Sequence, residues 1–187
     1  METWWAFSCP EIWRLIRIMH MQQSAIDRYL IPYGACGVPQ DKIAAWTGNQ
    51  SWMLVGTCTR TKSERQFGTP NQIYVGWLLE ELHRTCEHLH IPYGVLSDLH
   101  GVVWHDELIE TYDAPPDGLQ DEDFNALGQK LRAKTQKRYP KLKGFVMITI
   151  NPVRSRPYAR ILKGSRYPWT WLVRPKLLIE SESGLGL

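Results

Sequence analysis

Three short apolar runs set the frame for any fold of this chain: Trp52–Cys58 (WMLVGTC), Ile91–Ser97 (IPYGVLS) and Gly144–Asn151 (GFVMITIN). Each is seven or eight residues long, too short for a globular helix, and flanked by turn residues or polar loops, so each reads as a buried strand. Two longer segments separate them. Asn71–His90, capped by Thr69 or Asn71, places Ile73, Trp77, Leu78, Leu82, Cys86 and Leu89 on one helical face. The segment Leu119–Pro140 (LQDEDFNALGQKLRAKTQKRYP) carries acids at its start and bases at its end, the order a helix dipole favours. Strand alternating with helix implies an α/β fold with a central, mostly parallel sheet flanked by helices.

The ends of the chain read differently. Ser8 and Glu11 have capping-box spacing with Pro10 between them, and a helix from Glu11 to about Leu30 follows, with Ile12, Leu15, Ile16 and Met19 at helical intervals. The turn-rich IPYGACGVPQ breaks it, and QDKIAAWTG forms a short helix stopped by Gly48. Residues 1–50 are therefore expected to be a helical preface packed on the core, and 51–187 the α/β domain. The tail after Asn151 is basic, aromatic and proline-rich, with one or two short strands expected, and SESGLGL is expected to fray.

Charge is divided unevenly. Between Lys130 and Lys176 lie 14 Lys and Arg and no acid; the remainder holds eight bases against 19 acids, for a net +3. Such a basic segment, 130–176, favours a polyanionic partner, most simply DNA. Arg154, Arg156, Arg160, Lys163 and Arg166 are the expected phosphate contacts. Tyr158, Tyr167, Trp169 and Trp171 interleave with them. Aromatic faces can stack on unpaired bases, but the two tryptophans are expected to alternate into a core strand. Cys9, Cys36, Cys58 and Cys86 show no paired spacing, so reduced thiols, no metal and no cofactor are expected. No run of about 18 apolar residues exists, and the N-terminus lacks a basic region before a clean apolar block. The expectation is a cytoplasmic protein.

Chemistry gathers where the strands end. In open α/β sheets ligands bind beyond the carboxyl ends of the strands. Cys58 and Lys62 follow the first run; Ser97 ends the second, with Asp98, His100 and Gly101 just beyond. Gly101 permits a turn with positive φ. Asp98 and His100 could form an acid/base pair, or Asp98 could orient a water. His105 and Asp106 are expected on a surface turn, and a metal site built from them with His100 lacks a recognised spacing. Tyr112 and Asp113 precede a proline turn, where Asp113 either shapes the turn or bonds back into the crevice.

The pattern Cys58-x-x-x-Lys62, Tyr74, Leu96-Ser97, His100-Gly101 and Tyr112-Asp113 resembles an uncharacterised bacterial and phage domain family over about Trp52 to Leu131. The Cys-x-x-x-Lys element is similar to that of archaeosine synthase, but the longer Pro-Tyr-Ser continuation is missing, so the amidating activity is not implied. Asp98 stands where the family has a small residue. The wider group resembles uracil-DNA-glycosylase-like α/β domains acting on nucleobases, including phage-defence glycosylases that remove glucosylated hydroxymethylcytosine. The Gly-Gln-Asp-Pro-Tyr and His-Pro-Ser motifs of uracil glycosylases are absent. The resemblance, joined to the basic tail, implies a DNA glycosylase that flips a modified base into the crevice and leaves an abasic site. Asp98 would activate water or stabilise oxocarbenium charge, His100 would aid the leaving base, and Lys62 would position phosphate or base. Cys58, Tyr74, Ser97, Gly101, Tyr112 and Asp113 would bind substrate. The alternatives are a non-catalytic DNA-binding module and a small-molecule nucleoside or base hydrolase or transferase.

Overall fold

The computed structural model describes residues 28–36, 47, 50–113 and 116–173. Most of the expected N-terminal preface, Arg174, Lys176 and the tail at 181–187 lie outside them. In chain order the strands are β1 (Trp52–Thr57), β2 (Phe67–Gly68), β3 (Tyr93–Ser97), β4 (Gly101–Trp104), β5 (Ile109–Glu110), β6 (Gly144–Ile148) and β7 (Trp169–Leu172). The helices are α1 (Pro70–Ile73), α2 (Trp77–His88), α3 (Asp121–Arg138) and α4 (Pro152–Ser165). Among the described residues no helix is long and apolar enough to cross a membrane.

The central sheet has the order β4-β3-β1-β6-β7. β3, β1, β6 and β7 run parallel, and β4 is an antiparallel edge. All of β3, β4, β6 and β7 is buried, as a sheet covered on both faces requires. Strand alternation assigns the faces. Gly56, where an added Cβ would meet Leu79 and Leu82 of α2, and Val95 share a face; Trp104, packed edge-on against Tyr139 after α3, lies on the other. The helices α3 and α4 cross so closely that a Cβ on Gly128 would sit 2.4 Å from the Gly164 carbonyl carbon. Trp169 and Trp171 are both 1% exposed in β7, as their alternation implies. Beyond β7, Ala35 forms a parallel bridge with Trp169 and the Cys36 amide donates to the Trp169 carbonyl at 2.8 Å, so residues 35–36 shield that edge.

Three local expectations are corrected. The segment 71–90 is two helices, because Tyr74 leaves the helix in an extended conformation and Gly76 precedes α2 at φ 169°. Trp77 is consequently 53% exposed, and Leu79 takes the buried position beside Leu82. The basic tail contains a 14-residue helix, α4, before its strand. Asn151 caps it by accepting from the Val153 and Arg154 amides, and Pro152 occupies the first turn, where a missing N–H costs nothing. Finally, the strands read from the sequence omit one of the central sheet: Gly101, at φ +72°, closes the turn it was expected to permit, and Gly101–Trp104 then forms the edge strand β4.

Candidate functional site

The connections from β1 and β6 leave toward opposite edges of the sheet. This is the topological switch at which open α/β sheets bind ligands. Three side chains meet there from three directions. Cys58 follows β1, Asp98 follows β3, and Tyr158 reaches in from the buried face of α4, which follows β6. The Cys58 thiol donates to Asp98 Oδ2 at 3.2 Å. The Tyr158 hydroxyl lies 3.3 Å from the same oxygen and 3.3 Å from Cys58 Sγ. Asp98 Oδ1 is buried and has no hydrogen-bond partner among the described residues.

Electrostatics fix the protonation of this cluster. Burial, reinforced by the Asp98 charge, pushes the Cys58 thiol up to about 11. Burial likewise raises the Tyr158 phenol well above the tyrosine range, helped by Cys58 and Asp98. Both groups are therefore protonated donors at neutral pH. Burial also raises Asp98, but the Cys58 and Tyr158 hydrogen bonds and the nearby Lys62 charge pull the other way. Two neutral donors on one oxygen is an arrangement suited to an ionised carboxylate.

A second cluster adjoins the first. The Tyr112 hydroxyl lies 2.7 Å from Ser97 Oγ and 2.8 Å from the Tyr74 hydroxyl. Ser97 Oγ also accepts from the amides of Leu99 and His100, at 3.2 and 3.0 Å. Lys62 Nζ sits 4.7 Å from the Tyr112 ring centre, within cation–π range, and Lys62 bridges Tyr74 through the backbone. The His100 ring packs edge-on against Tyr112 at 5.2 Å. Burial, with Lys134 next in weight, lowers the His100 pKa below the usual histidine range, which favours the neutral imidazole.

The residues singled out from sequence thus divide. Cys58, Lys62, Tyr74, Ser97, Asp98, His100 and Tyr112 come together. Asp98 bonds to Cys58 and Tyr158, and His100 packs on Tyr112, so the Asp98–His100 pair does not form its expected contact. Gly101, at φ +72°, faces α3 instead, with the Leu127 carbonyl oxygen 2.4 Å from where a Cβ would lie. Asp113 is exposed. His105 and Asp106 form a turn tied to Arg138 by an ion pair with Asp106. Among the described residues no cluster of three or more His, Cys, Asp or Glu is arranged to hold a metal. Tyr158, placed by the sequence among the tail aromatics that could stack on bases, is instead buried in this site. Recognising the Asn151–Pro152 helix start would have put Ser155, Tyr158, Leu162 and Ser165 on one buried helical stripe.

The expected phosphate contacts lie on α4 and at its end. Arg154, Arg156, Lys163 and Arg166 are exposed. Arg156 bonds the Tyr33 hydroxyl, and Arg160 pairs with Asp121 and stacks 4.0 Å from the Phe124 ring centre. These three cations at 156, 160 and 163 line a cavity of about 440 Å³ with Tyr33, Asp121 and Phe124. A second cavity, about 370 Å³, lies at the opposite end of the sheet around Trp52, Ile91 and Tyr139.

The chain matches no protein-family model, no curated protein and no solved structure.

Proposed function

We propose that this chain is a DNA glycosylase that removes a modified base and leaves an abasic site, on a uracil-DNA-glycosylase-like α/β frame. One observation carries the reading: Asp98, 8% exposed, holds one oxygen on two neutral donors while the other has no partner among the described residues. A buried carboxylate oxygen left unpaired is costly. It suits an atom that meets a ligand: here, the attacking water or the positive charge that develops on the sugar as the base departs.

DNA is favoured as substrate by α4 itself. Its inner face supplies Tyr158 to the carboxylate, its outer face carries Arg156 and Lys163, and Arg154 is exposed in its first turn; such cations neutralise backbone phosphates. A base inside a duplex cannot reach a buried carboxylate, so the nucleotide flips out. The resemblance to phage-defence glycosylases favours glucosylated hydroxymethylcytosine of phage DNA as the base.

The test is direct. Purified protein is incubated with phage DNA bearing glucosylated cytosines, with hydroxymethylated DNA and with plain DNA, and abasic sites are counted after alkaline cleavage. Abasic product is expected from a modified DNA and is expected to disappear in Asp98→Asn. No product from any modified DNA overturns the reading. A non-catalytic DNA-binding module, in contrast, binds in a salt-dependent way and leaves every DNA chemically unchanged.

A further inference from the structure

The hydroxyl cluster beside Asp98 has a donor count that assigns a role to Tyr112. Three hydroxyls, on Ser97, Tyr112 and Tyr74, share two hydrogen bonds. Ser97 Oγ already accepts two amide hydrogens, which fills both its lone pairs, so its own hydrogen goes to Tyr112. Tyr74 is 2% exposed and its hydroxyl lies 2.8 Å from that of Tyr112; a buried O–H has to be donated, and with both lone pairs of Ser97 filled the Tyr74 hydrogen goes to Tyr112. Tyr112 therefore receives two hydrogen bonds, and its own hydrogen is uncommitted. Tyr112 is only half-buried, with Lys62 over its ring.

We infer that the Tyr112 hydroxyl is the leaving-group contact, donating to a carbonyl oxygen beside the glycosidic nitrogen of the departing base. The inference rests on the glycosylase reading of Asp98. It names the substrate class as an N-glycoside of a base with a carbonyl next to the bond that breaks, as in a pyrimidine. In the reaction the bond from C1′ to nitrogen breaks and its electron pair stays on the base, spreading onto the carbonyl oxygen, where the Tyr112 hydrogen bond meets it. Water oxygen bonds to C1′; its proton passes to Asp98 Oδ1 and then to the base. The products are a sugar hydroxyl and a neutral base. Burial raises the Tyr112 phenol far above the usual range, so Tyr112 acts as a hydrogen-bond donor and not as the proton source. Two hydrogen bonds received by its oxygen strengthen the one it gives.

Pyrimidin-2(1H)-one carries this carbonyl together with a ring N–H, pyrimidine carries neither, and the two serve as probes, with Tyr112→Phe separating the carbonyl contact from the N–H. Each is titrated into the full-length chain and followed in the ligand's proton NMR spectrum. Wild type is expected to favour pyrimidin-2(1H)-one by about five- to tenfold, the worth of one hydrogen bond. Tyr112→Phe is expected to abolish that preference, with folding checked by circular dichroism. Tyr74→Phe is expected to keep most of it, because Ser97 still donates to Tyr112 and the Tyr112 hydrogen stays uncommitted. A purely structural role predicts the reverse order, since Tyr74 is the more buried. Equal or absent binding of the two probes to wild type overturns the inference, as does loss of the preference in Tyr74→Phe as complete as in Tyr112→Phe. Absence of abasic product with the carbonyl preference intact overturns the glycosylase reading and leaves the Tyr112 contact standing.

Discussion

Gly101 offers a sharp test of where the site ends and the scaffold begins. It sits at φ +72°, and a Cβ there would lie 2.4 Å from the Leu127 carbonyl oxygen and 3.3 Å from the Leu131 nitrogen of α3. Two costs follow for Gly101→Ala. Left-handed backbone costs an L residue about 1–2 kcal/mol. Overpacking against a helix backbone, which has no rotamer to turn aside, costs about 1–3 kcal/mol. Reduced freedom of the unfolded chain offsets about 0.4–1 kcal/mol. The net expectation is a loss of about 1–4.6 kcal/mol. At about 2–4 °C per kcal/mol for a chain of this size, a mid-range loss lowers the melting temperature by about 5–10 °C. Gly118→Ala is the control, because nothing lies within 4 Å of its Cβ position; its stability is expected to stay within about 0.5 kcal/mol of wild type. Both variants are melted by circular dichroism and tested for abasic product below their transitions. If Gly101→Ala melts with the wild type yet loses activity, Gly101 is a ligand contact and its assignment to helix packing is wrong.

Other expectations follow from the carboxylate and the basic helix. Asp98→Asn is expected to abolish base removal while making the fold more stable at neutral pH, read by urea denaturation. Burial raises the folded-state pKa of Asp98 above its ordinary 3.8, so its contribution is fully present below that value and is lost as pH rises through the folded value; Asn removes that slope. A destabilised Asn variant at neutral pH counts against a strained buried carboxylate. Cys58→Ala deletes one of the two donors to Oδ2, so Asp98 titrates higher and the acidic limb of the pH–activity profile moves to higher pH; a limb that stays in place shows that the thiol does not tune the carboxylate. Replacing Arg154 and Lys163 together by Gln is expected to weaken duplex binding evenly across sequences and to flatten the log–log salt dependence by about 1.8, at about 0.9 per phosphate; an unchanged slope places the DNA elsewhere.

The parts of the fold legible in the sequence are those where burial and periodicity agree. The runs that became β1, β3 and β6 are apolar on both faces, because the sheet is covered twice, and such runs stand out against polar loops. The helix α3 announces itself through Asp121, Glu122 and Asp123 at one end and Lys137 and Arg138 at the other. Because strand ends were visible, so were the residues just past them, and Cys58, Ser97 and Asp98 do converge. What stayed hidden needed tertiary knowledge. Pro157 and Gly164 make α4 look like a broken loop, yet Pro157 is accommodated within the helix and Gly164 is where α3 crosses. With α4 unread, Tyr158 had no reason to point inward. The strand β4 is four residues long and begins at a glycine with left-handed backbone, a signal that also spells a turn. The direction of the Ser97–Tyr112–Tyr74 bonds depends on two backbone amides, which no residue pattern displays.

The two faces of α4 tie the scaffold to a strict numerical register. Residues on a helix advance by about 100° each, so a one-residue insertion between Asn151 and Tyr158 would swing the phenol off Asp98 by about that angle. Any compensating slide would have to pass the Gly128–Gly164 crossing, where the helices already touch backbone to backbone. Substitutions on the outer face leave this alignment intact, whereas changes in length do not. Descendants of this chain are therefore free to retune their charge along α4 but not to lengthen its first two turns.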